Sequence, residues 1–250
     1  MGLAGIAALV VGTPAVAADM ALKAPPMAEP EVNSWAGWYV GVNGGWGWAN
    51  PQWIFSGDQF FNTAPGQGFT NSLNGGIVGG QIGLNVVASG PWIVGLEFTG
   101  DWANLSQTLV GPVSPAFPFD SFTTKFQDLE TVTVRVGYAP SNWLVYIKGG
   151  FAAGDIAFSG ISGAPVAGVV FSNNQRIFGM TGGAGIEYMW TPHIILGVEY
   201  DFVGTFGTGV STFGNCTAAT CTGFTGTPVN AGSMNAFSVQ NIIGRVSYKF

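Results

Sequence analysis

A four-residue pattern, glycine–apolar–glutamate–aromatic, occurs three times, as Gly95–Phe98, Gly185–Tyr188 and Gly197–Tyr200. Each copy sets one carboxylate, Glu97, Glu187 or Glu199, between large apolar neighbours. Three bases, Arg135, Lys148 and Arg245, sit in similar apolar–polar alternations, and Asp101, Asp201 and Lys249 complete a set of nine. Acids and bases interleaved with apolar residues at period two would share one face of a sheet. Their chemistry there is mutual neutralisation and hydrogen bonding, which charges need wherever water is scarce. Catalytic chemistry is poorly supplied. His193 is the single histidine, abuts Ile194 and has no adjacent Ser or acid, so no Ser–His–acid group is expected and the chain does not read as an enzyme.

The elements that position these residues are strands. "WYVGVNGGWGW" (38–48) places Trp38, Val40, Val42, Trp46 and Trp48 on one face. "VGGQIGLNV" (78–86), "WIVGLEFTGD" (92–101), "TVTVRVGY" (131–138) and "WLVYIKGGF" (143–151) alternate in the same way. So do "FGMTGGAGIEY" (178–188), "IILGVEYDF" (194–202) and the closing "GRVSYKF" (244–250). Period two over roughly ten residues is the signature of a strand that crosses a bilayer at a tilt. The connections after the second, fourth and sixth strands are short, "ASGP" (88–91), "APSN" (139–142) and "TPH" (191–193). Those after the first, third, fifth and seventh are long and rich in Gly, Ser, Thr and Asn. The expected fold is all-β: an eight-stranded antiparallel up-and-down transmembrane β-barrel with four long external loops and three short periplasmic turns.

Composition agrees. Charged residues make up 8% of the chain and apolar ones 47%, with 40 Gly, 19 Phe and 9 Trp; ordinary soluble domains carry about 25% charge. No stretch approaches the ~20 unbroken apolar residues of a spanning helix. A net charge of −6 with seven scattered bases offers no patch for nucleic acid. The faces identify the solvent. All nine charges of the set fall on the non-apolar face, a lumen lined by Gly, Ser, Thr and Asn, and none falls on the apolar one. A Lys or Arg on lipid costs about 2–4 kcal/mol at the bilayer midplane, a penalty water would not impose. The bulky aromatics also exceed what an eight-stranded lumen can hold. Phe250, Tyr248, Trp35, Trp92, Tyr138, Trp143 and Trp190 fall near the short-turn end, as an aromatic girdle would.

At the N-terminus, "LAGIAALVVG" (3–12) and "TPAVAA" precede Asp19, so residues 1–18 read as a signal peptide. No Lys or Arg precedes the apolar run; a start upstream of Met1 would account for that. Residues 19–34 read as a Pro-rich periplasmic linker and 35–250 as the barrel. Export makes a Cys216–Cys221 disulfide the expectation, worth roughly 2 kcal/mol for so small a loop; two Cys without a nearby His make a poor metal site. "NGGWG" and "GGIVGGQIG" precede no helix and are not phosphate loops. No cofactor is expected. The ending, with Val246, Tyr248 and Phe250 on one face, suits a last strand paired to its final residue.

The stretches "SWAGWYVGVNGGWGW" (34–48), "GGIVGGQIGLN" (75–85), "TVTVRVGYA" (131–139), "GAGIEY" (183–188) and "GRVSYKF" resemble the small outer-membrane barrels of alphaproteobacteria. That is the outer-membrane immunogenic protein or porin family group, with an OmpA-like barrel. The resemblance implies a surface protein of the Gram-negative outer membrane that contributes to envelope integrity and host contact. It also implies contacts with outer-membrane lipid and lipopolysaccharide, and barrel-assembly machinery that reads Val246, Tyr248 and Phe250. The resemblance also implies, as a weaker alternative, a haem-binding surface protein; His193 is expected in a periplasmic turn, on the wrong side for surface capture, so Met or Tyr ligands in the loops would have to serve. The nine charges are expected to form an ion-pair network that largely plugs the lumen, with a narrow small-solute channel as the alternative.

Overall fold

The structure, a computed structural model, describes residues 35–55, 66–111, 121–162, 169–205 and 232–250. The leader, the linker, Cys216 and Cys221 lie outside the described residues. Eleven strands are present among them: β1 (Gly37–Ala49), β2 (Gln52–Phe55), β3 (Gly68–Thr70), β4 (Leu73–Ser89), β5 (Trp92–Val110), β6 (Ser121–Tyr138), β7 (Trp143–Ser162), β8 (Val169–Met189), β9 (Ile194–Thr205), β10 (Gly232–Met234) and β11 (Ser238–Lys249). Eight of them close into an antiparallel barrel, ordered β1-β11-β9-β8-β7-β6-β5-β4. Closure runs from Tyr39↔Lys249 to Ala49↔Val239, so the last strand has no free edge. Pairing continues to Phe250, which donates its N–H to the Trp38 carbonyl at 3.0 Å.

One end of the barrel has tight connections. Only Gly90 and Pro91 separate β4 from β5, and Gly90 adopts φ +53°, a left-handed turn conformation that glycine supplies without steric cost. Residues 139–142 and 190–193 link β6 to β7 and β8 to β9. Neighbouring turns are tied by Ala139 N–H to Pro91 O and Met189 N–H to Asn142 O, each at 2.8 Å.

The alternation has the expected phase in all eight barrel strands. Trp38, Val42, Val78, Leu96, Val134, Ile147, Phe178, Val198 and Val246 are exposed on the outer wall, where hydrocarbon replaces water. Glu97, Asp101, Arg135, Lys148, Glu187, Glu199, Asp201 and Arg245 are buried within. Trp92 packs edge-on against Tyr138, and Trp143 lies against Tyr188. With Trp190, Tyr248 and Phe250 these form the girdle at the short-turn end. Trp35 does not belong to it. Expected in the girdle, it is 1% exposed inside the barrel mouth, because its Nε1–H finds the Ser141 carbonyl there at 2.9 Å.

The strands differ from expectation in length. Those expected to end near residues 101 and 151 run on to Val110 and Ser162, and their partners begin early, at Ser121 and Val169. Much of what the sequence offered as loop is therefore strand that continues past the membrane. Along this extension the two faces exchange character. Outward positions become Asn104, Lys125, Gln127, Asp128, Glu130, Asp155, Asn174 and Arg176. Inward positions become Leu105, Phe122, Phe126, Leu129, Ile156 and Phe158, all buried in one apolar cluster. Water outside and a packed interior restore the soluble pattern. A small sheet, ordered β10-β2-β3, adds Trp53, Phe69 and Met234 to that cluster, with Trp53 and Phe158 ring centroids 4.2 Å apart.

Candidate functional site

The interior holds four tiers, built up from the short-turn end. At the bottom, Trp35 packs with Ile93, Leu144, Tyr146, Met189 and Ile195, and its carbonyl accepts the Asn85 Nδ2–H at 3.1 Å.

The middle tier is the charged one, and two arginines organise it. Arg135 on β6 forks onto Glu187 of β8, Nη1 at 3.1 Å and Nη2 at 3.4 Å. Its Nε–H reaches Asn85 Oδ1 at 2.9 Å. The guanidinium lies between two aromatic faces, 4.6 Å from the Tyr39 ring centre and 4.9 Å from that of Tyr146, a cation–π arrangement strengthened by the absence of water. Arg245 on β11 spans the lumen, donating to Glu97 of β5 and to Glu199 of β9; it also reaches the Tyr146 hydroxyl at 3.1 Å. Lys148 on β7 binds Glu199 at 2.6 Å and Asp201 at 3.0 Å. Tyr39 and Tyr146 donate their hydroxyls to Glu97 and Glu199 at 2.7 and 2.5 Å. Each buried charge of this tier meets opposite charge, the pairing that lets buried ions persist; Asp201 Oδ1 and Arg245 Nε make no hydrogen bond among the described residues.

Above this tier, Asn43 donates to Asp101 at 2.9 Å and to Gln81 at 3.1 Å, and Gln81 donates to the Ser247 hydroxyl at 3.1 Å. The hydroxyls of Thr99, Thr131, Thr133 and Thr181 face the same interior without a partner among the described residues. The apolar cluster and the small sheet form the top.

Of the nine charges singled out from the sequence, the structure brings Glu97, Arg135, Lys148, Glu187, Glu199, Asp201 and Arg245 into one connected set. Asp101 sits at its upper margin, held by Asn43. Lys249 is apart and corrects the expectation. Its place at the rim lets Nζ reach the Ala36 and Phe250 carbonyls at 3.3 and 3.4 Å, out of range of the buried acids. His193 sits in the turn before β9, its ring stacked on Tyr248 at 5.5 Å and its Nδ1 2.9 Å from the Lys249 carbonyl. It fastens the end of β11.

Tyr39 and Tyr146 were missed as members of the charged set. A signal for them exists. Tyr39 lies directly across from Gly83, and Tyr146 from Gly185. A Cβ at Gly83 would stand 2.1 Å from the Tyr39 hydroxyl, and one at Gly185 2.4 Å from the Tyr146 ring. Each tyrosine lies across a bare glycine of the adjacent strand, which lets its hydroxyl reach the carboxylate beyond.

The chain is similar to known proteins. The model of the outer membrane protein beta-barrel domain family matches residues 14–250. The 31 kDa outer-membrane immunogenic proteins of Brucella melitensis and Brucella suis are each 30% identical over 203 residues, covering 79% of this chain and 83% of theirs. Among solved structures, the outer membrane protease OmpT from Escherichia coli superposes with a TM-score of 0.51 at 9% identity, over 86% of this chain and 97% of that one. A likeness at that identity concerns the fold alone. The chain belongs to the outer membrane protein beta-barrel domain family, and its place is the outer membrane.

Proposed function

We propose that this member of the outer-membrane barrel family is a closed surface barrel, a structural and antigenic component of the envelope rather than a conduit. The observation that carries the reading is the Arg245 bridge, which joins Glu97 and Glu199 from opposite sides of the lumen. The Trp35 layer beneath and the apolar cluster above support it, since ions would have to cross both. The name of the Brucella relatives supports exposure of the outer loops to antibodies. On the same reading, outer-membrane lipid and lipopolysaccharide surround the wall, and barrel-assembly machinery recognises Val246, Tyr248 and Phe250. Those three side chains share the outward face of the final strand.

Planar-bilayer recording tests the closed reading. The purified full chain is expected to show no stable unit conductance. Arg245→Ala is expected to stay closed as well, because the apolar tiers remain. Steady conductance appearing only in Arg245→Ala would make the charged tier a gate and replace this reading with that of a narrow small-solute channel. The channel reading has one observation in its favour, the row of unpartnered threonine hydroxyls above the charged tier, which offers water a polar lining.

A further inference from the structure

The outer wall has one place where its regular surface breaks. At the seam of β5 and β6 the register shifts between Trp102 and Leu105, and at the seam of β6 and β7 between Phe126 and Glu130. β5 carries one extra residue at the first seam and β6 one at the second, and beside them lies an outward hollow of ≈ 680 Å³, lined by Trp102, Asn104, Lys125, Gln127, Asp128 and Glu130 among others. A second hollow, beside Gly76 and Val78, lies on the other flank of Trp102. The indole thus stands as a ridge between two depressions. At 76% exposure it is the most exposed large apolar side chain among the described residues.

Its height is informative. Trp92 marks the girdle at the short-turn end. Ten residues along a strand at ~3.3 Å each, tilted by ~40°, rise ~25 Å, the height of an outer-membrane barrel's apolar band. Trp102 therefore lies at the external membrane interface, where the outer face turns from apolar to polar. The lipid headgroups at that level, in the outer leaflet of an outer membrane, are phosphorylated sugars.

We infer that the Trp102 ridge and the β5–β6 hollow bind the sugar-phosphate headgroup of lipopolysaccharide. The apolar face of a sugar ring stacks on an exposed indole, and Asn104 and Gln127 offer amides to its hydroxyls. The acids are already engaged. Glu130 pairs with Arg176, and Asp128 Oδ1 accepts the Asp155 N–H at 2.6 Å. Asp155 lies 3.6 Å from Arg176. Lys125 enters no salt bridge among the described residues and supplies the cation for a phosphate. The hollow lies within the ~300–1,000 Å³ that small-ligand sites occupy. This inference rests on the orientation with short turns inward, but not on whether the lumen conducts.

The purified full chain, folded in neutral detergent micelles, is titrated with deep-rough lipopolysaccharide and separately with phosphatidylglycerol. Bound lipid per barrel is read by native mass spectrometry. Wild type is expected to prefer lipopolysaccharide. Trp102→Ala should weaken that binding about tenfold or more, the size of effect expected at a central tryptophan anchor, while Trp102→Phe retains most of it. Lys125→Ala should abolish the preference for phosphorylated over dephosphorylated lipopolysaccharide. Heat-dependent gel mobility verifies that each variant is folded, and Asn104→Ala serves if Trp102→Ala is not. Equal binding by wild type and these variants overturns the inference. So does equal affinity for phosphatidylglycerol, which would make the hollow a general lipid contact. These outcomes are independent of the conductance measurement.

Discussion

Two arginine–glutamate contacts separate the lower barrel from its extension above the membrane. Arg245 with Glu97 is buried to within 2% exposure, while Arg176 with Glu130 is about 40–45% exposed. The residue types and the supporting strands are alike, but the surroundings are inverted. In the lower region apolar groups face outward and charges face in; in the upper region charges face outward and Leu105, Phe122, Phe126 and Ile156 face in. The chain reaches this inversion without a change of fold. In β7 the outward row runs Ile147, Gly149, Phe151, Ala153, Asp155, Ala157 and Ser159 with no change of phase. The difference teaches that alternation fixes which residues share a face, whereas the medium on each side decides what that face must be.

Substitutions can break or sharpen this contrast. Arg245→Ala should be the most damaging, since it leaves Glu97 and Glu199 buried without their main partner. A loss of about 3–5 kcal/mol is expected, read as a lower urea midpoint in the heat-dependent mobility shift. Little or no change would mean that water already reaches the tier. Val134→Lys, on the lipid face, should cost about 2–4 kcal/mol. Ser159→Lys, on the same outward face above the membrane, should fall within about 0.5 kcal/mol of wild type. Equal costs in the same unfolding assay would contradict the change of medium between the two heights.

A smaller effect is expected from Gly185→Ala. Its new methyl would meet the Tyr146 ring and cost about 1–3 kcal/mol by overpacking. Lifting that ring would also loosen the Tyr146–Glu199 bond, which a double variant with Tyr146→Phe can isolate by non-additivity. Arg176→Ala, by contrast with Arg245→Ala, should change stability by less than about 1 kcal/mol, and less still in high salt.

The strands, their phase and the closure of the barrel were legible because period two is a local property, repeated eight times. Trp35 was misplaced because an aromatic near a membrane interface suits a girdle and a plug equally well. Only the position of the Ser141 carbonyl selects the plug. Lys249 was misplaced because parity alone puts it inside, while its height puts it at the rim. The extension reads as loop in the sequence because residues 102–110, 121–130, 152–161 and 172–177 lose the apolar-out pattern. That pattern is lost by reversal rather than by an end to alternation.

The sequence by itself determined the inside-out pattern, since placing charge on hydrocarbon is costly enough to write itself into every strand. It also determined that acids and bases would share the lumen. Which ones meet was decided by tertiary structure. Arg245 reaches Glu97 across 148 residues because barrel closure, tilt and stagger set distant strands at one height. The glycines that seat Tyr39 and Tyr146 acquire that role only once the register is fixed. No local pattern encodes a register between strands that the chain visits so far apart.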